Sequence, residues 1–186
     1  MGVLQALSER AVVGGGCFWC TEAIFSRLKG VSKVQPGYMG GHLEHPDYAI
    51  VCRGDSGHAE VVEIWFDPKI ISYAQLLDVF FATHDPLTLN RQGHDVGTQY
   101  RSIIFVQNDD QHAIAHEVVQ RTSEALGQPV VTAIEFAKNK PFYPAESEHH
   151  DYYANHPAQG YCQLVIHPKL EKMAKTFGSL LSKTDY

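Results

Sequence analysis

The chain has 186 residues, of which 44% are hydrophobic and 19% charged, a composition typical of a globular protein and unlike that of a disordered one. Its formal charge of -6 argues against nucleic-acid binding through the phosphate backbone, which requires a basic surface. No apolar run approaches the roughly 20 residues of a membrane helix, and the first residues do not resemble a signal peptide. We therefore expect a single cytoplasmic domain over residues 1–186, without a membrane anchor and monomeric.

Hydrophobic periodicity and turn residues predict the elements of the N-terminal half. Ser72 followed by Gln75 forms a capping box, which marks the start of a helix. Residues 58–66 alternate between apolar and polar side chains, as a half-buried strand does. In chain order, the predicted elements are a strand at 10–13, a helix at 17–28 ended by Gly30, a strand at 31–38, a Gly- and His-rich loop at 37–48, a strand at 58–66 and a helix after residue 72.

The C-terminal half continues the alternation of strands and helices. Asn108 and Gly127 are typical start and stop residues for a helix over 109–126. The other predicted elements are a strand at 98–107, a strand at 130–137, a loop with a short helix at 140–159, a strand-like stretch after residue 162 and a helix that begins at Pro168. The order β-α-β-β-α-β-α-β-α predicts an α+β fold: a ferredoxin-like split βαβ core, in an α/β sandwich with a mixed sheet and long loops.

Cys17 follows three glycines at the predicted junction between a strand and a helix. Unpaired backbone N–H groups and the positive end of the helix dipole favour a thiolate there, and such sites lower a thiol pKa from about 8.5 to roughly 3.5–7.5. We therefore predict a lowered pKa and a nucleophilic sulfur at Cys17. The alternative is a buried, inert thiol, in which case Phe18 and Trp19 are core aromatics rather than the walls of an apolar pocket.

Glu60 begins the alternating strand and shares its face with Val62, Ile64 and Phe66. Desolvation raises the pKa of a carboxyl group on such a core-facing row, so that it can stay protonated and act as a general acid. The alternative is a solvated carboxylate at an exposed strand end. Tyr100 shares a face with the apolar residues of the next predicted strand, which indicates an inward phenol that needs a hydrogen-bond partner.

Cys17 and Cys20 have the spacing of a redox pair or of half a zinc site. A structural zinc site needs four ligands, and no second close Cys pair or compact His pair follows, so we predict no metal site. Cys52 follows an apolar stretch and is predicted to be a buried, inert thiol. Three histidines of a polar segment are predicted to lie on the surface, namely His149, His150 and His156.

These residues belong to longer motifs that occur together in a known family. The motifs are GGCFWC (15–20), GYMGGHLEHPDY (37–48), GDSGHAEVVEIWFDP (54–68), THDP (83–86), RQGHDVGTQYRS (91–102), PFYPAESEHHDYY (141–153) and GYC (160–162). On these motifs the chain, from about Arg10 to Phe177, resembles the A-type peptide methionine sulfoxide reductases. The resemblance implies reduction of the S epimer of methionine sulfoxide, protein-bound or free, in the repair of oxidative damage. It implies thioredoxin as the external dithiol reductant and no bound cofactor.

The resemblance also implies roles for single residues. Cys17 is the catalytic cysteine, and Phe18 and Trp19 pack around the methyl group of the substrate. Glu60 is the acid that handles the sulfoxide oxygen. The residues that hydrogen-bond this oxygen or support the site are Tyr48, Tyr100 and Asp95.

The sequence leaves the cysteine that resolves the first product open. The resemblance assigns this role to Cys162 of the GYC motif, yet many members have Gly where this chain has Cys20. A sulfenic acid on Cys17 then condenses with either thiol to a disulfide. Two other functions stay open: a thiol–disulfide oxidoreductase that uses Cys17 and Cys20, and a zinc- or peptide-binding module without turnover.

Overall fold

The structure, a computed structural model, describes residues 8–182. Its strands and helices, in chain order, are β1 (Glu9–Gly14), α1 (Phe18–Phe25), β2 (Val31–Met39), α2 (Tyr48–Cys52), β3 (Ala59–Phe66), α3 (Tyr73–Ala82), β4 (Arg91–Gln92), β5 (Asp95–Val96), β6 (Ile103–Val106), α4 (Asp109–Leu126), β7 (Ala133–Phe136), β8 (Tyr143–Pro144), α5 (Tyr152–Asn155) and α6 (His167–Phe177). No helix within 8–182 combines the length and the apolar character needed to cross a membrane.

Six strands form one sheet in the order β7-β6-β1-β3-β2-β8. The four central strands pair antiparallel, and the order β1-α1-β2-β3-α3-β6 of the main elements is that of a split βαβ fold. β7 pairs in parallel with β6, and β8 pairs antiparallel with β2, so the sheet is mixed. The predicted ferredoxin-like α+β fold is confirmed.

The two faces of the sheet have different environments, and this places the carboxyl group of Glu60. Val62 and Ile64 of β3 belong to the main core, together with Phe25 of α1 and Leu77 of α3. Because side chains alternate along a strand, Glu60 lies on this helix-covered face. The opposite face carries a smaller apolar cluster, made of Val12, Met39, Ala59, Val61, Ile103 and Phe105.

Capping residues fix the helix starts that the sequence predicts. Ser72 accepts a hydrogen bond from the backbone N–H of Gln75 (3.1 Å), and the Gln75 side chain accepts one from the Ser72 N–H (2.9 Å). Asn108 accepts from the Gln111 N–H at 2.8 Å, and Gly127 ends α4 in the left-handed conformation. Both helices are confirmed because their signals are local and are not overridden by packing.

Two predicted boundaries are wrong. α1 ends at Phe25 rather than at residue 28, because the N–H groups of Arg27 and Leu28 bond to carbonyl groups three residues back, at 3.3 and 3.2 Å, in a tighter turn than that of an α-helix. The strand predicted at 98–107 is only β6, because Thr98–Tyr100 forms a 3-10 turn after Gly97. Tyr100 therefore lies outside the sheet.

The stretch after residue 162 is helical and not a strand. Cys162–Ile166 forms a π-helical turn that continues directly into α6. Leu164, in the apolar run that suggested a strand, is 80% exposed. The buried side chains recur instead at helical spacing, at Cys162, Ile166, Leu170 and Met173.

The glycine turn before α1 is required by close packing. A Cβ at Gly14 would lie 2.7 Å from the carbonyl oxygen of Glu60, and Gly16 has φ +94 with Gln92 against it. A side chain at either position would clash, and at Gly16 the backbone would also be strained. The turn thus brings the start of α1 directly beside β3 at Glu60.

Candidate active site

Cys17 is the N-cap residue of α1, and its own side chain makes no capping hydrogen bond. Its carbonyl oxygen accepts a hydrogen bond from the Cys20 N–H at 3.1 Å, so the first helical turn sets the two side chains beside each other. Cys17 is partly exposed, whereas Cys20 is only 3% exposed. The turn therefore presents one accessible thiol with a second thiol behind it.

The two thiols have pKa values that are shifted in opposite directions. Burial raises the pKa of Cys17 well above its usual value, and the hydrogen bond to Cys20 and the charge of Glu60 raise it further. The pKa of Cys20 falls to about 7, first because its thiolate accepts the hydrogen bond from Cys17 and also because Lys169 is near. The predicted lowering at Cys17 is wrong: the helix terminus does not offset burial, which raises the pKa of Cys17, while the pKa of Cys20 is lowered.

Glu60 is buried against the first turn of α1 with 1% of its surface exposed. Its Oε1 accepts a hydrogen bond from the Phe18 N–H at 3.2 Å, while its Oε2 has no partner. Burial raises the pKa of Glu60 to about 8. The carboxyl group is therefore protonated at neutral pH, as the sequence predicted, and one oxygen is free to donate this proton.

Two phenols lie near Glu60 and Cys17. Tyr48 and Tyr100 are both half-buried, and burial, with the nearby charges of Glu60 and Cys17 among the smaller causes, raises both pKa values. Both groups are therefore neutral hydrogen-bond donors. Cys52 is exposed at the end of α2, in hydrogen-bond contact with the Tyr48 side chain, so its predicted burial is wrong: only Val51 of that apolar stretch is buried.

Aromatic rings form a wall beside Cys17. The Trp19 ring stacks on Tyr152 with 3.7 Å between centroids and an angle of 5°. The Phe18 ring lies 6.3 Å from that of Tyr48, at 22°. His149 joins the two groups, since its ring is 4.3 Å from Tyr48 and 5.9 Å from Trp19. The wall is apolar and rigid enough to receive a methyl group and exclude water.

His149 is buried, with 6% of its surface exposed, so its predicted surface position is wrong. His156 is exposed, as predicted, and His150 is half-buried. The Trp19 indole N–H donates to Nδ1 of His149 at 3.1 Å. An indole N–H can only donate, so Nδ1 is the acceptor and the proton of the neutral ring lies on Nε2. Packing against Trp19 and Tyr48, rather than local polarity, decides the burial of His149.

Glu146 and Glu148 lie close to Nε2 of His149, at 3.7 and 3.8 Å. These three side chains are spaced closely enough to hold a metal ion. To bind a metal ion between these carboxylates, Nε2 would need a free lone pair. The Trp19 hydrogen bond places the lone pair of the neutral ring on Nδ1 and its proton on Nε2. Glu146 has other partners, since it accepts hydrogen bonds from the Tyr38 hydroxyl and the Tyr48 N–H, both at 3.1 Å. The cluster therefore fits a support for the aromatic wall better than a metal site.

A different environment lies on the Cys20 side of Cys17. The Tyr161 hydroxyl donates to Oδ2 of Asp95 at 2.9 Å and lies 3.6 Å from Sγ of Cys20. A cavity of about 430 Å³ opens here, lined among others by Cys17, Cys20, Asp95, Tyr161, Lys169 and Lys172. A larger cavity of about 600 Å³, between Arg27 and α6, contains neither thiol.

Cys162 is fully buried in the π-helical turn, and its Sγ lies 3.7 Å from Oε1 of Gln159. Burial raises the pKa of Cys162, and the nearby charge of Cys20 raises it further. Cys162 therefore lies near Cys20. Among the hydrogen bonds of residues 8–182, none joins Cys162 to Cys17. Eight of the predicted site residues come together, and Cys162 is set apart from the first thiol.

Four supporting residues were not predicted from the sequence: Glu146, His149, Tyr152 and Tyr161. The motifs that contain these residues are present in the sequence, but the contacts of these residues join segments more than 60 residues apart. Examples are the contact of Trp19 with His149 and that of Asp95 with Tyr161. A run of His and Tyr in a segment without helical or strand periodicity was the one available signal.

Comparisons of the whole chain with known proteins give one consistent family. The family described as peptide methionine sulfoxide reductase matches residues 9–180. The peptide methionine sulfoxide reductase MsrA of Chromobacterium violaceum is 56% identical over 175 residues, which are 93% of this chain and 98% of the relative. Among solved structures, Mxr1 from Saccharomyces cerevisiae in reduced form has a TM-score of 0.77 at 33% identity, over 87% of this chain and 92% of that chain. A complex of Mxr1 with Trx2 matches with a TM-score of 0.55 at 24% identity, over 82% and 89% of the two chains.

Proposed function

The chain belongs to the peptide methionine sulfoxide reductase family, and from that premise we propose that it reduces the S epimer of methionine sulfoxide, free or in proteins, to methionine. The observation that carries this proposal is the pairing of a protonated, buried Glu60 with a partly exposed Cys17 thiol beside an aromatic wall. The activity repairs oxidised methionine, which is a polar side chain where an apolar one is needed.

In the first step, Sγ of Cys17 attacks the sulfur of the sulfoxide. The Cys17 proton passes to the Cys20 thiolate, which already accepts its hydrogen bond. Glu60 donates a proton to the sulfoxide oxygen as the bond between Sγ and the substrate sulfur forms, while Tyr48 and Tyr100 hydrogen-bond that oxygen. The hydroxyl group then moves from the substrate sulfur to Sγ of Cys17. The substrate S–O bond and the new S–S bond break, and methionine leaves with the electron pair on its sulfur. In balance, one thiol and one sulfoxide become a sulfenic acid on Cys17 and methionine.

The aromatic wall selects the substrate orientation. Phe18 and Trp19 hold the methyl group, so the sulfoxide oxygen is directed toward Glu60. When the methyl group, the oxygen and the polar remainder of the substrate are each directed to a fixed position, only one epimer fits all three, and the family resemblance implies that it is the S epimer. Asp95, held by the Tyr161 hydroxyl at 2.9 Å, accepts a hydrogen bond from the polar remainder of the substrate.

In the second step, Cys20 resolves the sulfenic acid. Its thiol condenses with the Cys17 sulfenic acid, which forms the disulfide and releases water. Cys20 is the resolving residue rather than Cys162 because it shares a helical turn and a hydrogen bond with Cys17. Cys162 would have to unwind the π-helical turn that buries it.

Thioredoxin then reduces the disulfide by thiol exchange. Mxr1, of which the reduced form is 33% identical to this chain, has been crystallised with Trx2, and this supports a thioredoxin as partner. No step of this cycle uses a bound cofactor or metal. We propose that the chain acts as one domain over residues 1–186, since the groups involved meet around the start of α1 and β3, and that it acts as a monomer in the cytoplasm.

The test uses the purified protein with thioredoxin, thioredoxin reductase and NADPH, supplied in turn with each resolved epimer of methionine sulfoxide. We expect NADPH consumption and methionine with the S epimer, none with the R epimer, and none with Cys17→Ser. Equal rates with both epimers, or activity in Cys17→Ser, would contradict the proposal. Reduction of insulin disulfides without any methionine formation would indicate the thiol–disulfide oxidoreductase instead.

A further inference from the structure

The two sides of Cys17 differ in charge as well as in shape. The substrate side is aromatic and contains the neutral groups Glu60, Tyr48 and Tyr100. The opposite side is the cavity of about 430 Å³ at Cys20, where α6 contributes two lysines, Lys169 and Lys172. Two ligands of different chemistry can thus reach the same sulfur from different directions.

Lys169 is the cation that acts on this cavity. It lies in the first turn of α6, is half-buried, and forms no ion pair within residues 8–182. Its charge favours the thiolate of Cys20. Lys172, one turn further along, is exposed. The other ionisable groups around Cys20 and in this cavity are Cys17, Asp95, Tyr161, Glu60, Cys162, His84, Asp85 and His94. Burial lowers the pKa of His84 to about 4, so His84 adds no charge at neutral pH.

We infer that this cavity admits the thiolate of the reductant, that the thiolate attacks Sγ of Cys17, and that Lys169 stabilises Cys20 as the departing thiolate. The inference rests on the Cys17–Cys20 disulfide of the proposed function. Lys169 is a positioning residue, since it acts through its charge on Cys20 and not on the substrate.

Access and leaving-group chemistry both favour attack at Cys17. Cys20 is 3% exposed and lies behind the Tyr161 hydroxyl, whereas Cys17 is partly exposed to the cavity. In thiol exchange the sulfur that leaves best is the one whose thiolate is most stable. Lys169 provides that stability at Cys20, and no comparable cation acts on Cys17.

The exchange balances without a further reactant. The incoming thiolate forms a bond to Sγ of Cys17, the Cys17–Cys20 bond breaks, and its electron pair leaves on Cys20. The second thiol of a dithiol reductant then attacks the mixed disulfide, which releases Cys17 as a thiolate that takes up a proton. The protein ends with two reduced cysteines and the reductant with one disulfide.

The test starts from full-length protein oxidised by one turnover with the S epimer. Glutathione, a monothiol, is added with iodoacetamide present, the reaction is quenched with acid, and the adducts are mapped by mass spectrometry. We expect glutathione on Cys17 and the alkyl group on Cys20. Glutathione on Cys20 would overturn the inference. Absence of the Cys17–Cys20 disulfide before glutathione is added would overturn the assignment of Cys20 as resolving cysteine and this inference with it, whereas absence of methionine from that first turnover would overturn the proposed function.

Two lysine variants test the charge separately. We expect Lys169→Met to slow reduction of the disulfide about tenfold and to move the pH at which Cys20 is alkylated upward, with Lys169→Arg restoring both. Lys172→Met, on the same helix and cavity, should stay within about twofold of the parent protein. Equal effects of Lys169→Met and Lys172→Met, or an unchanged alkylation profile in Lys169→Met, would contradict a specific role for Lys169.

Discussion

Two ionisable groups at the site have pKa values far from their usual ones, Glu60 because of burial and Cys20 because of its neighbours. Burial raises the pKa of Glu60 to about 8, although the hydrogen bond from the Phe18 N–H acts in the opposite direction. The pKa of Cys20 is about 7, since Cys17 donates to its thiolate. An acid and a base are therefore present together between these two values, which is the state the first step requires.

The pH profile of the first turnover follows from these two groups. The rate rises as pH increases to about 7, where Cys20 becomes a thiolate, and falls above about 8, where Glu60 loses its proton. Glu60→Gln should lower the rate at pH 7 about a hundredfold, within the usual range for a general acid, and remove the fall above pH 8. Rapid-quench measurement of methionine between pH 6 and 9 gives both results.

Glu63→Gln is the matched control, since Glu63 lies on the same strand and is also buried but binds Arg10 at 2.6 Å instead. Its profile should keep the fall above pH 8. A Glu60→Gln protein with the parent rate and the parent profile would remove Glu60 as the acid.

His149 positions Trp19 without reaching the reacting atoms. His149→Phe keeps a ring in the wall but leaves the indole N–H without an acceptor, at a cost of about 1–3 kcal/mol. We expect KM for the S epimer to rise about tenfold, with kcat changed less. Tyr152→Phe, which keeps the stacked ring, should leave KM within twofold. Equal KM values in the two variants would contradict a role for the hydrogen bond.

At the scale of elements, α1 and α5 are joined by a buried carboxyl group. Glu22 of α1 accepts a hydrogen bond from the Asp151 N–H, at the start of α5, and its second oxygen has no partner. α5 carries Tyr152, which stacks on Trp19. Burial raises the pKa of Glu22 to about 7, so this junction depends on pH.

A raised acid pKa means that the folded state binds the proton more tightly than the unfolded state. Glu22 therefore contributes stability below its unfolded pKa of 4.5, and this is lost as pH rises to about 7. Glu22→Gln, which keeps the acceptor oxygen, should match the parent at pH 5 and be about 2–3 kcal/mol more stable at pH 8. Urea unfolding at both pH values measures this, with the exposed Glu124→Gln as control. An equal difference at both pH values would contradict it.

Elements with local signals could be predicted from the sequence, and elements set by packing could not. The capping residues Ser72 and Asn108 fix α3 and α4 through bonds within three residues. The π-helical turn at Cys162–Ile166 was missed because its apolar run has the composition of a strand, and only contact with the core decides its conformation. Cys17 was found as the key thiol, but its pKa depends on Cys20 and Glu60, whose contacts are tertiary.

At the scale of the whole molecule, the sheet order brings distant segments to one point. β1 lies next to β3, so the glycine turn after β1 meets Glu60 at the start of β3. The segments of Tyr48, Asp95 and His149 then surround α1 from loops and short elements. The order could be predicted from the succession of elements, whereas the loop contacts needed the structure.

The proposed mechanism gives Cys162, which is fully buried, a structural role and assigns resolution to Cys20. Cys162→Ala removes a buried sulfur and should lower stability by about 1 kcal/mol, since it is a small buried side chain. The same variant should form methionine and recycle with thioredoxin at the parent rate. Loss of recycling in a folded Cys162→Ala protein would show that the resolving thiol is Cys162.

The measurement that tests the account most directly is a single turnover without reductant. Fully reduced protein is mixed with the S epimer, methionine is counted per chain, and the disulfide is mapped by mass spectrometry. We predict about one methionine per chain and a Cys17–Cys20 disulfide. A Cys17–Cys162 disulfide would contradict the assignment of Cys20, and no methionine would contradict the reductase itself.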